Sequence, residues 1–272
     1  MRALILSDIH ANLDALEAVL AAAPAHDVVW NLGDNVGYGA SPNEVIERIS
    51  ALGTVFVRGN HDRACCGLAT LDDFNPVAAR AASWTQRQLT SEHTLWLRQL
   101  ARGPIKPHGE IVSCMHGSAL DEDEYLLNVR DAWKPLRDAI THINFFGHTH
   151  IQGGFATNDE EWFKLMPVYD TPNDAEEFEL PLSSGARYLI NPGSVGQPRD
   201  GDWRAAFAIF DDGHTDNGHS DDGHGDDGIN EELAGRMRLH FYRVPYDLQM
   251  AQGRILAAGL PDRLAARLRE GR

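Results

Sequence analysis

An α/β fold is what this chain predicts, and three observations carry the prediction. Over about the first 150 residues, short apolar runs alternate with stretches of helical periodicity. Beyond them the pattern turns to strand-like runs with little helix. Each string able to carry chemistry closes an apolar run, which is the edge where ligands collect in an open α/β sheet.

In chain order, RALILSD (2–8), DVVWNLGD (27–34), TVFVRGN (54–60), IVSCMHG (111–117) and INFFGHT (143–149) read as buried strands. NLDALEAVLAAA (12–23) between the first two is an amphipathic helix capped by Asn12 or Asp14. SPNEVIERISAL (41–52) between the next two is a second, with Ser41 as N-cap and Pro42 at the first helical position. This βαβαβ rhythm predicts parallel pairing with right-handed crossovers. Residues 64–100 hold no strand-like run and read as two helices, of which NPVAARAASWTQRQL (75–89) is the clearer. Inserted directly after RGNHD, this segment should stand at the mouth of any site there, as simple packing or as a wall of the pocket.

After residue 150, EWFKLMPV, ARYLINPGSVG, RAAFAIFDD and MRLHFYRVPYD are expected to form an antiparallel set, a second sheet or its edge. Two helices close the chain, over 247–258 and 261–269. Residues 211–230 are rich in Asp, Gly and His and hold roughly half of the net negative charge. That composition predicts a flexible, solvated loop, with loose capture of a divalent ion as the alternative.

At 272 residues the chain suits one large domain over 1–272, able to bury about three quarters of its unfolded surface without disulfides. Its formal net charge is −16 and no Lys/Arg stripe stands out. A long nucleic acid is therefore not an expected partner, nor is an anionic membrane surface. Three cysteines, an odd number, argue against a secreted disulfide framework. Cys114 reads as a buried small hydrophobe, and Cys65 and Cys66 as structural. The first residues enter a strand without a charged-then-apolar leader, and no apolar run approaches the roughly twenty residues of a membrane span. A cytoplasmic chain is the expectation; a homo-oligomer is left open.

The chemistry lies in five strings: SDIH (7–10), LGDNVGYG (32–39), RGNHD (58–62), MHG (115–117) and GHTH (147–150). They supply Asp8, His10, Asp34, Asn60, His116, His148 and His150, with His61 to spare. These are enough oxygen and imidazole donors for two divalent metals sharing a carboxylate, an arrangement that points to phosphate-ester hydrolysis. Imidazole with carboxylate suits manganese, iron, zinc, nickel or cobalt rather than calcium, and manganese is expected first. His26, His93, His108, His142 and His240 have no partners at ligand spacing and read as surface or satisfied core residues.

In this order the strings resemble the calcineurin-like metallophosphoesterase superfamily, and most closely its compact bacterial and archaeal phosphodiesterase-type members. SDIHANLDALEAVL, PNEVIERI, VRGNHD, HGS, GHTH and INPGSVGQPRDG carry the resemblance, which runs from Met1 to about Tyr246 and omits the Asp/Gly/His stretch. It implies a four-layer αββα sandwich, two mixed sheets flanked by helices. It also implies one metal on Asp8, His10, Asp34 and His150, and a second on Asp34, Asn60, His116 and His148, with Asp34 bridging. A hydroxide between the ions would be the nucleophile, and His61 the general acid for the leaving oxygen. The implied substrate is a small phosphate ester, nucleotide-like and cleaved as a diester. A dinucleoside polyphosphate or a monoester is the alternative, and a catalytically silent scaffold is the reading from another class.

One string departs from the pattern. Protein phosphatases of the superfamily and symmetrical dinucleoside tetraphosphatases read GDxVDRG, whose later Asp supports the catalytic His and whose Arg grips phosphate. Here Gly37 and Tyr38 occupy those places, which leaves the orienting partner of His61 open, with Asp62 adjacent. Arg199 is a candidate phosphate contact or a plain salt bridge, while Tyr38 and Phe74 read as packing, with base stacking as the alternative.

Overall fold

A strand of aliphatic residues buried on both faces, Arg2–Leu6 (β1), is the centre from which the architecture grows. The computed structural model describes residues 1–52, 55–158, 160–213 and 235–272. β1 pairs in parallel with Val28–Asn31 (β2), which pairs in parallel with the two-residue edge strand Val55–Phe56 (β3). Leu13–Ala22 (α1) and Pro42–Ser50 (α2) make the two crossovers. Asn12 caps α1 by accepting from the Ala15 N–H at 3.2 Å, and Pro42 opens α2 after Ser41.

Among the described residues, twelve strands form two six-stranded sheets. The remaining ones are Ile105–His108 (β4), Val112–Cys114 (β5), Ile143–Phe145 (β6), Gly153–Thr157 (β7), Trp162–Leu165 (β8), Glu176–Pro181 (β9), Arg187–Asn191 (β10), Ala205–Asp211 (β11) and Arg238–Val244 (β12). One sheet runs β3-β2-β1-β11-β12-β9 and the other β4-β5-β6-β10-β7-β8. Both mix parallel and antiparallel neighbours.

The late strands therefore do not form one antiparallel set, as their runs suggested. β8 and β10 join the second sheet, β11 and β12 the first, and β10 lies parallel to β6. A strand buried on both faces carries no periodic mark of direction or partner, so such runs cannot be sorted into sheets by pattern.

Period-two burial builds the layers. Ile5, Trp30, Phe210 and Phe241 of the first sheet meet Phe145, Ile190 and Cys114 of the second in one core. On the outer face of the first sheet, Leu4, Phe207 and Ile209 pack against α1, Leu248–Ala257 (α7) and Asp262–Glu270 (α8). On the outer face of the second, Phe155 and Leu189 pack against Val129–Arg137 (α6). The result is the four-layer αββα sandwich.

Asn60–Cys65 (α3), Pro76–Gln88 (α4) and Ser91–Gln99 (α5) follow β3 in succession. Asn75 caps α4 through Val77 and Ala78, and Thr90 caps α5 through His93. The Asp/Gly/His-rich stretch read over 211–230 falls, from residue 214 on, outside the described residues. No described helix is long and apolar enough to cross a membrane.

Candidate metal centre

The chain ends of β1, β2, β5 and β6 converge on one spot, and the backbone there is bent far from extended. Asp8, His10, Ala11, Asp34, Tyr38, His148 and His150 have φ between 50° and 65°. They are all of the described non-glycine residues with positive φ. Such a conformation costs a non-glycine residue about 1–3 kcal/mol, and it persists only where neighbours over-determine it. Those neighbours are identifiable. The Asp8 carbonyl accepts from Ser194 Oγ at 2.7 Å and from Gly196 N at 3.0 Å, while His10 N donates to the Asp34 carbonyl at 2.9 Å. Gly59 is required by close approach, because a Cβ there would stand 2.0 Å from Asp34 Oδ1.

These bends bring six of the seven expected ligands into two metal-binding clusters: Asp8, His10, Asp34 and His150 in one, Asp34, His116 and His148 in the other. Asp34 belongs to both, with Oδ2 3.6 Å from His10 Nε2 and 3.4 Å from His116 Nε2. Asn60, the seventh, places Oδ1 3.2 Å from His116 Nε2. All six clustered residues are buried.

The orientation of the imidazoles shows what the clusters accept. His10 Nδ1 is hydrogen-bonded to the Val36 carbonyl at 3.1 Å, His116 Nδ1 to Leu32 at 2.9 Å and His150 Nδ1 to Gln197 at 2.6 Å. A carbonyl only accepts, so each Nδ1 carries the hydrogen and a neutral ring presents a bare Nε2. His10 Nε2 and His150 Nε2 then face each other across 3.1 Å, and His116 Nε2 faces His148 Nδ1 across 3.2 Å. The facing lone pairs of His10 and His150, beside Asp8 and Asp34, fit a cation between them. The backbone carbonyls supply the orienting hydrogen bonds that metal-ligating histidines use.

Electrostatics agree. Burial drives His10 and His150 well below the usual imidazole range, and burial with the neighbouring His116 takes His148 down to about 3. Burial lifts Asp8 to about 7 against the pull of His116. Burial also opposes both charges of the Asp34–His116 pair, yet their attraction wins, so Asp34 is held well below the carboxylate range and His116 rises.

His61 stands beside the clusters, its ring centroid 4.9 Å from that of His10 and its backbone N–H donated to Asp34 Oδ1 at 2.8 Å. Asp62 is not its orienting partner. That carboxylate accepts from the N–H groups of Asn35, Val36 and Gly59 and from Asn35 Nδ2, bracing the loop after β2. His61 Nδ1 is buried without a hydrogen bond. Gly37, at φ 87°, lies against it, and a Cβ there would come within 2.5 Å of the ring nitrogen. The residue that would carry an orienting Asp in the related string is thus a glycine packed on the imidazole.

Tyr38 is buried between His10 and His61, with ring centroids 4.6 and 4.3 Å away, so packing is its first role. Phe74, half-buried, sets its ring 4.9 Å from His61 and joins it in lining a cleft of about 380 Å³ that also exposes Asn60, Tyr125 and His148. Arg199 makes no salt bridge among the described residues; Nη2 lies 3.3 Å from Gln197 Oε1. His26, His93, His108, His142 and His240 lie outside both clusters, and all three cysteines are free and buried. Two parts of the site escaped sequence reasoning. The orienting carbonyls carry no side-chain signature, and Tyr125 sits in a polar loop with its ring 3.9 Å from that of His148.

Comparison with known proteins places this geometry. Residues 1–213 match the domain described as the calcineurin-like phosphoesterase superfamily. A metallophosphoesterase structure from Sphaerobacter thermophilus is 39% identical, covering 100% of this chain and 99% of its own, with a TM-score of 0.74. An uncharacterised protein of Methanocaldococcus jannaschii is 34% identical over 98% of this chain and 97% of its own length. A symmetrical bis(5'-nucleosyl)-tetraphosphatase of Yersinia enterocolitica is 37% identical over 70% of this chain and 76% of its own.

Proposed function

The chain belongs to the calcineurin-like phosphoesterase superfamily, and on that premise we propose that it is a phosphodiesterase acting with two divalent metal ions on a small, nucleotide-like phosphate ester. The observation that carries the reading is the bare nitrogens of His10 and His150 facing each other beside Asp34, with His116 and His148 gathered on the same carboxylate. Asp8, His10, Asp34 and His150 would hold one ion and Asp34, Asn60, His116 and His148 the other. Manganese is the first choice for this imidazole and carboxylate set, with iron, zinc, nickel or cobalt as alternatives. When bound, the two ions supply the Lewis acidity that polarises the phosphoryl group and lowers the pKa of the attacking water.

The chain's own residues do the rest. Val36, Leu32 and Gln197 hold the three imidazoles in one tautomer. His61, on the cleft wall, gives its proton to the leaving oxygen. Burial holds its imidazole down at about 4, so it is neutral at pH 7 until the negative phosphate ester arrives beside it and favours the charged form. The cleft admits a small ester, while Phe74 and Tyr125 offer aromatic surface on its walls. Likeness to a dinucleoside tetraphosphatase favours one second reading, hydrolysis of a dinucleoside polyphosphate at the same site. A silent scaffold is disfavoured by the retention of His61 and of every expected ligand.

The test is turnover of bis(p-nitrophenyl) phosphate and of p-nitrophenyl phosphate by the metal-stripped protein, with Mn, Ni, Co, Zn and Mg added back singly. Metal-dependent cleavage is expected, faster on the diester, and slowed by about 10²–10⁴ in His61→Ala. No turnover with any metal, despite bound ions, would contradict the reading.

A further inference from the structure

Four histidines belong to the two metal-binding clusters, and one of them is held differently from the rest. Nδ1 of His10, of His116 and of His150 each meets a backbone carbonyl. His148 meets none among the described residues. Its Nδ1 lies 3.2 Å from His116 Nε2, and its Nε2 is buried without a hydrogen bond. A ring that no orienting hydrogen bond fixes has to be fixed by packing. Here the packing is aromatic: the Tyr125 ring centroid stands 3.9 Å from that of His148, with the planes tilted by 41°. Tyr125 is 48% exposed and takes no part in the hydrophobic core, so core packing does not explain its place.

What holds Tyr125 there can be traced. It stands in the loop 115–128 between β5 and α6, which also carries His116. Glu122 of this loop accepts from Arg58 Nε and Nη2, both at 2.9 Å, and lies 3.3 Å from Arg63 Nη1. Asp123 pairs with Nη2 of the same Arg63. Ser118 Oγ donates to Glu124 and accepts from the N–H groups of Leu120 and Asp121, which closes the loop on itself. Arg58 and Arg63 flank Asn60 and His61 along the chain. One loop therefore reaches all three residues assigned to the second metal alone. It supplies His116, it is tied by two arginines to the string that holds Asn60, and it lays Tyr125 on His148.

We propose that Tyr125 is a positioning residue for the second metal site, its ring doing for His148 what a backbone carbonyl does for the other three imidazoles. This role presupposes the two-metal reading. Without the ring, the imidazole is free to turn about its side-chain torsions, and a donor out of line weakens the ion it should hold. The first site is spared, because His10 and His150 keep their carbonyls.

Calorimetric titration of the metal-stripped protein with manganese tests this and reads both sites at once. The parent protein should take up two ions per chain. In Tyr125→Ala one site should weaken by about 10–100-fold, the usual cost of losing an outer partner of a ligand, with the other unchanged within about threefold. Tyr125→Phe, which keeps the ring, should bind both ions as the parent does. Tyr125→Ser decides the point by the same comparison if the alanine variant does not fold. Two parental affinities in a folded alanine or serine variant, an equal loss at both sites, or a phenylalanine variant as weak as alanine would overturn the proposal. Fewer than two ions bound by the parent would overturn the two-metal reading itself, whereas two sites indifferent to Tyr125 leave that reading standing.

Discussion

Unprotonated imidazole nitrogens held 3.1 Å apart repel, and at this site the chain holds them so with backbone carbonyls and left-handed turns. The residue most exposed to test is Gly37, which carries neither a ligand nor a proton. Its φ of 87° costs alanine about 1–2 kcal/mol, and an alanine Cβ would press to 2.5 Å of His61 Nδ1. Gly37→Ala should therefore slow turnover by about 10²–10⁴, as loss of a positioned general acid does, while metal content measured by elemental analysis stays at the parental value. Loss of the metals along with activity would show instead that the substitution collapses the whole centre. The ligand types themselves were legible in the sequence because each lies in a short string beside a glycine or another ligand. The partner of His61 was not, because adjacency along the chain does not say where a carboxylate points: Asp62 turns to Asn35, Val36 and Gly59.

Between residues and molecule stand the strands that deliver the ligands. β1, β2, β5 and β6 end at the same edge of the two sheets, and the interface between those sheets keeps that edge in register. Phe145 is fully buried there, with ring centroids 6.2 Å from Trp30 and 6.1 Å from Phe210. Phe145→Ala should cost about 3–5 kcal/mol in urea unfolding, through lost burial and the cavity left behind. A loss below about 1 kcal/mol would mean that the sheets are held together elsewhere. Elements with a strong pattern, such as α1, α2 and α4 with their Asn or Ser-Pro starts, could be read directly. Others were masked by composition: β7 opens with Gly153 and Gly154, α6 contains Pro135, and β4 contains Pro107. The partition of late strands between sheets was also hidden, because β10 and β11 are apolar on both faces.

At the scale of the whole molecule, a strained centre of buried carboxylates and imidazoles is joined to a net charge of −16 and a small cleft. Buried carboxylates and imidazoles of this number are costly unless paired, and divalent cations pair them. The same cations would bind the folded chain and not the unfolded one, stabilising it by about 2.7 kcal/mol for each site held at a hundred times its Kd. The most direct test of the central claim is anomalous diffraction from crystals grown with manganese, recorded on both sides of its absorption edge. The account predicts two manganese peaks flanking Asp34, one among Asp8, His10 and His150 and one among Asn60, His116 and His148. A single peak, or peaks away from Asp34, would contradict it.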